Sequence, residues 1–146
     1  MRDKTFFSEE NLKSRIMSAE EALNILERLS KLSDDEFLNN DIYIFAAKGA
    51  FLTYIQAILD MANYIIAAKE LGIPSSYGNI LEILGDHGII PNKWRKKLEK
   101  VIGIRDNILH SKEKISAKSI LDLVREKTSF FKELLDLIRK ELLSVI

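Results

Sequence analysis

Residues 41–71 read DIYIFAAKGAFLTYIQAILDMANYIIAAKEL and form the most apolar region of the chain. A helix drawn through this stretch is apolar nearly all round, which is typical of a central helix with neighbours on most sides. Gly72 follows as a helix stop, with Pro74 just beyond. The stretch is a poor membrane span, because it is broken by four polar residues, Lys48, Gln56, Asp60 and Asn63. We therefore predict a buried central helix.

The sequence before this stretch predicts one long amphipathic helix and one short one. Apolar residues over 8–31 recur at steps of three and four, at Leu12, Ile16, Ala19, Leu23, Leu26 and Leu29. Ser33 and Glu36 have capping-box spacing, with Glu36 placed to reach back toward the Ser33 amide. A short turn of helix is expected there, before the central helix begins near Asp41.

The sequence after the central helix predicts three more helices. Their starts are marked by Ser75 or Ser76, by Pro91 at a first-turn position, and by Ser116. The first of them should end near His87, where Gly88 follows. No segment alternates with period two, so residues 1–146 are predicted to form a single all-α domain. Its expected architecture is an up-and-down bundle of four to five helices.

Composition narrows the classes of function. The absence of cysteine excludes a disulfide framework, a thiolate zinc site and a cysteine nucleophile, and it fits a reducing compartment. The formal net charge is zero, so the protein as a whole has no excess positive charge that would attract nucleic acid. Residues 91–114 carry eight bases and three acids, which suits either a phosphate backbone or a solvated helix face. The N-terminus lacks a signal-peptide pattern, so we expect a cytoplasmic protein with no membrane association.

The candidate catalytic residues lie between Arg105 and His110. His87 is more simply a surface histidine in a helix-ending turn. On an ideal helix, Arg105 and His110 lie about 140° apart. Within one subunit they could face one target only with long side-chain reach or where the helix ends near His110. A groove formed by two subunits would also bring them to one target. Asp106 precedes His110 by four residues, so its carboxylate could orient the imidazole.

These residue types suit the cleavage of RNA without a metal. The reaction needs a base for the 2′-hydroxyl proton, an acid for the leaving 5′-oxygen, and positive charge on the phosphorane. An imidazole transfers protons near neutral pH, and a guanidinium matches phosphate oxygens in charge and geometry. The spacing alone is weak evidence, because an arginine and a histidine near a helix end recur by chance and serve structural roles.

A polar stripe on the central helix supplies a second candidate feature. Lys48, Gln56, Asp60 and Asn63 share one arc of the helical wheel. Polar groups on an otherwise buried helix must be paired, hydrated or in a cleft. The stripe is therefore either a structural hydrogen-bond network or one wall of an active-site groove.

Four stretches in order resemble the HepT-like ribonuclease toxins of the HEPN superfamily. They are DMANYII (60–66), LGIPSSY (71–77), ILGDHGIIP (83–91) and GIRDNILH (103–110). The resemblance extends from about Asp41 to Leu142. It implies a homodimer in which the R-x4-6-H motif of each subunit faces a shared cleft. It also implies metal-independent RNA cleavage, no cofactor, and a minimal nucleotidyltransferase as antitoxin.

Carried over by position, the resemblance assigns Arg105 to transition-state stabilisation and His110 to general base or acid catalysis. Asp106 takes the polar position after the arginine. Asp60 and Asn63 match family positions on the central helix and receive substrate-binding or supporting roles. Lys112 is a further candidate for such a role. Trp94 or Tyr77 could stack an unpaired base, although Trp94 is more simply a core residue.

Two departures from the family pattern bear on regulation and on the groove. The family motif often continues as H-x-Y, with the tyrosine adenylylated by the antitoxin, whereas this chain has Lys112 there. Tyr64 stands where many relatives have histidine. The alternative function is a non-catalytic HEPN module that partners a nucleotidyltransferase. A third possibility is a purely structural helical dimer.

Overall fold

A computed structural model describes residues 9–110 and 114–146, and within them it is built from helices alone. The α-helices are α1 (Glu9–Ser30), α2 (Asp34–Leu38), α3 (Asp41–Ala68), α4 (Tyr77–Asp86), α5 (Arg95–His110) and α6 (Ala117–Val145). A 3₁₀ turn at Asn92–Trp94 precedes α5. The predicted all-α bundle is confirmed. Its described helices number six rather than four to five, because the short turn after Ser33 forms a helix of its own.

The core lies between the three long helices α1, α3 and α6. Helix α3 is central, with contacts to α1, α2, α4, α5 and α6. Phe51, Tyr54 and Phe131 are fully buried at the α3–α6 contact, where the Tyr54 and Phe131 rings lie 4.6 Å apart. The Tyr54 hydroxyl donates a 2.8 Å hydrogen bond to the Phe131 carbonyl. Burial raises the pKa of this phenol well above its usual value, with a smaller contribution from the Asp136 charge.

The long apolar helix α3 is a core helix in this fold. Among the described residues, it is the one helix long and apolar enough to cross a membrane by length and composition alone. Eleven of its residues are buried in the bundle. Their burial between neighbouring helices accounts for its apolar composition.

Three serines cap helices as their sequence context predicts. The Ser33 hydroxyl accepts from the Glu36 amide and the Glu36 carboxylate accepts from the Ser33 amide, both at 3.1 Å, which is a complete capping box. Between the two candidates at the start of α4, Ser76 rather than Ser75 is the cap. Ser116 caps α6 through a 3.1 Å bond from the Ser119 amide.

The central helix ends earlier than predicted, at Ala68 rather than at Leu71 before Gly72. Glu70 adopts φ = 55°, and the Leu71 amide donates to the Ile66 carbonyl at 2.9 Å. This is a Schellman motif formed by a glutamate at the left-handed position that glycine usually takes. The same motif closes α4, where Gly88 has φ = 71° as the sequence suggested.

Candidate functional site

A groove opens where α1, α3 and α5 meet. Its lining residues are Arg15 and Ser18 from α1, Leu52, Thr53, Gln56, Ala57 and Asp60 from α3, and Arg105 and Leu109 from α5. The volume is about 470 Å³, within the usual range of ligand sites of about 300–1,000 Å³. The groove therefore has room for a nucleotide-sized group beside two guanidinium groups.

Arg105 is a buried cation with three partners. Its side chain is only 8% exposed, and an unpaired charge so placed would be very costly. One terminal nitrogen donates to Asp106 Oδ1 at 3.1 Å, and the other donates to Gln56 Oε1 at 3.4 Å. The Tyr77 ring covers the guanidinium, with 4.3 Å between the guanidinium carbon and the ring centroid. These contacts fix the orientation of the guanidinium at the groove wall.

Gln56 and Asp60 connect Arg105 to a second arginine. The Gln56 amide nitrogen donates to Asp60 Oδ1 at 2.9 Å, so its amide oxygen is left to face Arg105. Asp60 Oδ2 accepts a 2.8 Å bond from Arg15 Nε on α1. A continuous chain of hydrogen bonds therefore crosses the groove from α1 through α3 to α5.

His110 is the last residue of α5 and is exposed. Because the helix continues to this residue, His110 keeps its roughly 140° separation from Arg105, and Leu109 rather than His110 lines the groove. The Asp106 carboxylate accepts from Arg105 instead of orienting the imidazole as expected. The chain thus holds the arginine of the motif in the groove and presents the histidine outside it.

The other predicted residues divide between this groove and its surroundings. Asp60 lines the groove, whereas Asn63 is half-buried on α3 and is not part of the lining. Lys48 lies in a separate hollow with Phe45 and Lys114. Lys112 lies outside the described residues, so its predicted supporting role stays a prediction. The polar stripe of α3 therefore contributes to two adjacent hollows.

The remaining chemistry-bearing residues occupy structural positions. Trp94 is buried and meets the Phe130 ring edge-on at a centroid distance of 4.9 Å, so its core assignment is confirmed and base stacking by Trp94 is excluded. The exposed His87 is the C-cap of α4, with 2.9 Å between its Nδ1 and the Ile83 carbonyl oxygen. Within residues 9–110 and 114–146, no three histidine, aspartate or glutamate side chains form a metal-binding group.

Arg15 is the groove residue that the sequence did not single out. It lies 45 residues from its partner Asp60, and an exposed arginine on an amphipathic helix is unremarkable in sequence. Gln56 was in the polar stripe, but its contact with Arg105 spans 49 residues. Only the packing of α1 and α5 against α3 brings these groups together.

A sequence model of the Ribonuclease HepT-like family matches residues 19–138. The chain belongs to this family. The mRNA nuclease HepT of Shewanella oneidensis is a relative, 26% identical over 86 residues. The matched region spans 59% of this chain and 65% of the relative. The family match confirms the resemblance that the four sequence stretches suggested.

Solved structures of HEPN toxins share this fold. A tri-AMPylated HEPN toxin of Shewanella oneidensis, in complex with an MNT antitoxin, superposes with a TM-score of 0.78 at 18% identity, over 88% of this chain and 96% of that one. A toxin–antitoxin structure with AMP-PNP gives 0.76 at 19% identity, over 87% and 96%. The cytosolic protein YutE of Bacillus subtilis gives 0.77 at 20% identity, over 91% and 89%.

Proposed function

We propose that this HepT-like chain is the toxin of a toxin–antitoxin pair and acts as a metal-independent RNA endonuclease in the cytoplasm. The observation that carries the proposal is Arg105, a buried, pre-oriented guanidinium at the wall of an open groove. Family membership and the similarity to an mRNA nuclease support RNA as the substrate. Single-stranded or looped RNA fits best, because sequence-specific RNA contacts usually need unpaired bases.

The proposed chemistry assigns one role to each motif residue. The RNA 2′-hydroxyl attacks the adjacent phosphorus, which forms a 2′,3′-cyclic phosphate and expels the 5′-oxygen. Arg105 stabilises the negative charge on the phosphorane, and its existing contacts remove the need to reorganise during the reaction. His110 either takes the proton of the attacking hydroxyl, with water protonating the leaving 5′-oxygen, or protonates the leaving oxygen, with water taking the hydroxyl proton. Asp106 and Gln56 hold the guanidinium in place.

A homodimer would complete this site. His110 is outside the groove of its own subunit, so we propose that His110 of the partner subunit reaches the phosphate bound at Arg105. Exposed apolar side chains near the groove support an interface. Phe45 on α3 is 77% exposed and lines a hollow that shares Leu52 with the groove, and Leu109 beside His110 is half-exposed. Apolar residues so exposed mark interaction sites when they cluster.

We further propose a minimal nucleotidyltransferase as the antitoxin partner. The supporting similarity is to a HEPN toxin structure in complex with an MNT antitoxin. Because Lys112 replaces the tyrosine of the H-x-Y pattern, adenylylation at that position is not part of the proposal. Inhibition would then follow from binding. The antitoxin should reduce RNA cleavage without ATP when it is mixed with the purified toxin.

An RNA cleavage assay in EDTA tests the nuclease. The purified full chain is incubated with single-stranded RNA beside Arg105→Ala and His110→Ala, with His87→Ala as the matched histidine control. We expect the wild type and His87→Ala to cleave equally. Each motif variant should lose about a thousandfold in rate, the size of effect seen when a transition-state donor is removed.

The same assay separates the nuclease from the non-catalytic module. Equal inertness of all four proteins toward RNA would overturn the nuclease and favour a module that only binds its partner. Cleavage that requires added Mg²⁺ and disappears in EDTA would overturn metal independence. Full activity of both motif variants would show that Arg105 and His110 do not form the active site.

A further inference from the structure

The groove contains two arginines, each paired with one aspartate. Arg105 pairs with Asp106 on α5, and Arg15 on α1 pairs with Asp60 on α3. Gln56 bridges the two pairs, since its amide bonds Asp60 on one side and Arg105 on the other. The two guanidinium groups therefore stand on opposite sides of a short polar bridge and face the same groove.

The two arginines differ in how much of their hydrogen-bonding capacity is used. Arg15 is 45% exposed and its contact with Asp60 uses Nε. Among the described residues, its terminal nitrogens have no hydrogen-bond acceptor. A guanidinium carries five N–H donors, so four remain for a ligand. Ser18 and Thr53 also line the groove and add hydroxyl groups.

We propose that Arg15 is a second phosphate-binding residue of this groove, and that Asp60 positions it. This rests on the proposed function, because the ligand is a phosphate of the same single-stranded RNA, adjacent to the one at Arg105. Phosphate oxygens accept hydrogen bonds only, and an arginine presents its donors in a fork that matches them. Arg15 lies before residues 19–138, and the family motif gives it no role.

A purely structural ion pair between α1 and α3 would explain these contacts less well. The two side chains are 45% and 35% exposed, and pairs so exposed contribute little to stability. A structural pair also does not require the arginine to line a groove. The two interpretations predict different behaviour toward salt, because only a phosphate contact releases counterions from RNA.

The test is the binding of a short single-stranded RNA whose 2′-hydroxyls are methylated, so that it cannot be cleaved. Fluorescence anisotropy gives the Kd of the full-length protein at several KCl concentrations. The variants are Arg15→Gln, Arg15→Lys and the matched control Arg139→Gln, an exposed arginine paired with Asp136 on α6. KM and kcat on cleavable RNA, and Tm, are measured for the same set.

We expect Arg15→Gln to weaken binding about tenfold and to reduce the slope of log Kd against log salt by about 0.7, the share of one phosphate contact. KM should rise by a similar factor, with kcat within about threefold. Arg15→Lys should keep the wild-type slope because it keeps the charge. Arg139→Gln should match the wild type throughout.

An unchanged Kd and salt slope in Arg15→Gln, with wild-type cleavage intact, would overturn the role of Arg15 and leave the nuclease standing. RNA binding that depends on Arg15 in a protein that cleaves nothing would support the phosphate site and overturn the nuclease. A wild type that neither binds nor cleaves RNA would overturn both. A lowered Tm in Arg15→Gln with an unchanged slope would show a structural pair.

Discussion

The buried face of α3 and its groove face satisfy their side chains in different ways. On the buried face, Phe51 and Tyr54 are fully enclosed against α6, and the single hydroxyl there is bonded to a backbone carbonyl. On the groove face, Gln56 and Asp60 are only half-buried and are bonded to charged groups from α1 and α5. One face of α3 thus packs in the apolar core, and another face lines a charged groove that is open to solvent.

This difference separates, along one helix, the residues that stabilise the fold from those proposed to act on RNA. Apolar burial supplies most of the folding free energy, and it offers no group that can bind or transfer a proton. The groove face contributes less to stability because its polar groups remain near water. Substitutions on the two faces should therefore have opposite signatures, with a loss of stability on the buried face and a loss of RNA cleavage on the groove face.

The largest effect is expected on the buried face. Phe51 is fully enclosed, with its ring centroid 6.0 Å from that of Phe131. Phe51→Ala should lower the free energy of unfolding by about 3–5 kcal/mol, because it removes apolar contacts and leaves a cavity. Urea denaturation measures the loss, with the exposed Ile73→Ala as control. A loss under about 1 kcal/mol would show that this face is not the core.

A substitution on the groove face should reduce RNA cleavage more than it reduces stability. Gln56→Leu removes the amide that bonds both Asp60 and Arg105, so the guanidinium loses its fixed orientation. RNA cleavage should fall about tenfold to a hundredfold, since small misplacements of a catalytic group are costly. The free energy of unfolding should fall by about 1–3 kcal/mol, because one donor of the buried Arg105 loses its acceptor, and this loss is smaller than that of Phe51→Ala.

Asn24→Leu is the control for Gln56→Leu. It removes an exposed amide of α1 that lines a separate hollow between α1 and α6. Its RNA cleavage and stability should both stay at wild-type values. If Gln56→Leu were destabilised as much as Phe51→Ala but cleaved RNA normally once folded, the distinction between the two faces would be lost.

A smaller effect is expected from the ring that covers Arg105. Tyr77→Ala should slow RNA cleavage about fivefold, because the cation–π contact holding the guanidinium is worth about 1 kcal/mol. Tyr77→Phe keeps the ring and should cleave within twofold of the wild type. Initial rates on a single RNA measure both. Equal losses in the two variants would assign the effect to the phenol hydroxyl instead of the ring.

The smallest effect is expected away from both faces, at the α2–α6 contact. The hydrogen bond from Arg125 and its positive charge hold the pKa of Asp34 below its usual value. A lowered folded-state pKa gives stability that is present at neutral pH and is lost as the pH falls through that pKa.

Asp34→Asn should therefore lower the urea midpoint slightly at pH 7, and this difference should shrink as the pH falls below about 4. Asp35→Asn removes an acid from the same turn that does not bond Arg125, and at pH 7 it should leave the urea midpoint closer to the wild-type value. A difference that grows on acidification would contradict the assigned sign.

Much of the fold was predictable because helix signals are local. Capping serines at 33, 76 and 116 mark helix starts through bonds that span only three residues. Gly88 marks the end of α4 for the same reason. The end of α3 was misplaced because Glu70 takes the left-handed conformation, which a glutamate adopts only at some cost and which sequence rules assign to glycine.

The candidate site was only partly predictable because its contacts are not local. The polar arc of α3 and the Arg105–His110 spacing could be found from periodicity and resemblance. The link from Arg15 to Asp60 depends on how α1 packs against α3, which no local pattern encodes. Helical periodicity predicts that Arg105 and His110 lie about 140° apart, and the uninterrupted helix α5 has this separation.

The most direct test of the account is complementation between two inactive variants. Heterodimers of Arg105→Ala and His110→Ala are purified through two different affinity tags and assayed for RNA cleavage in EDTA. If His110 of the partner subunit completes the groove at Arg105, each heterodimer keeps one intact site and should cleave at about half the wild-type rate. A heterodimer as inactive as its two parents would contradict a site shared between subunits.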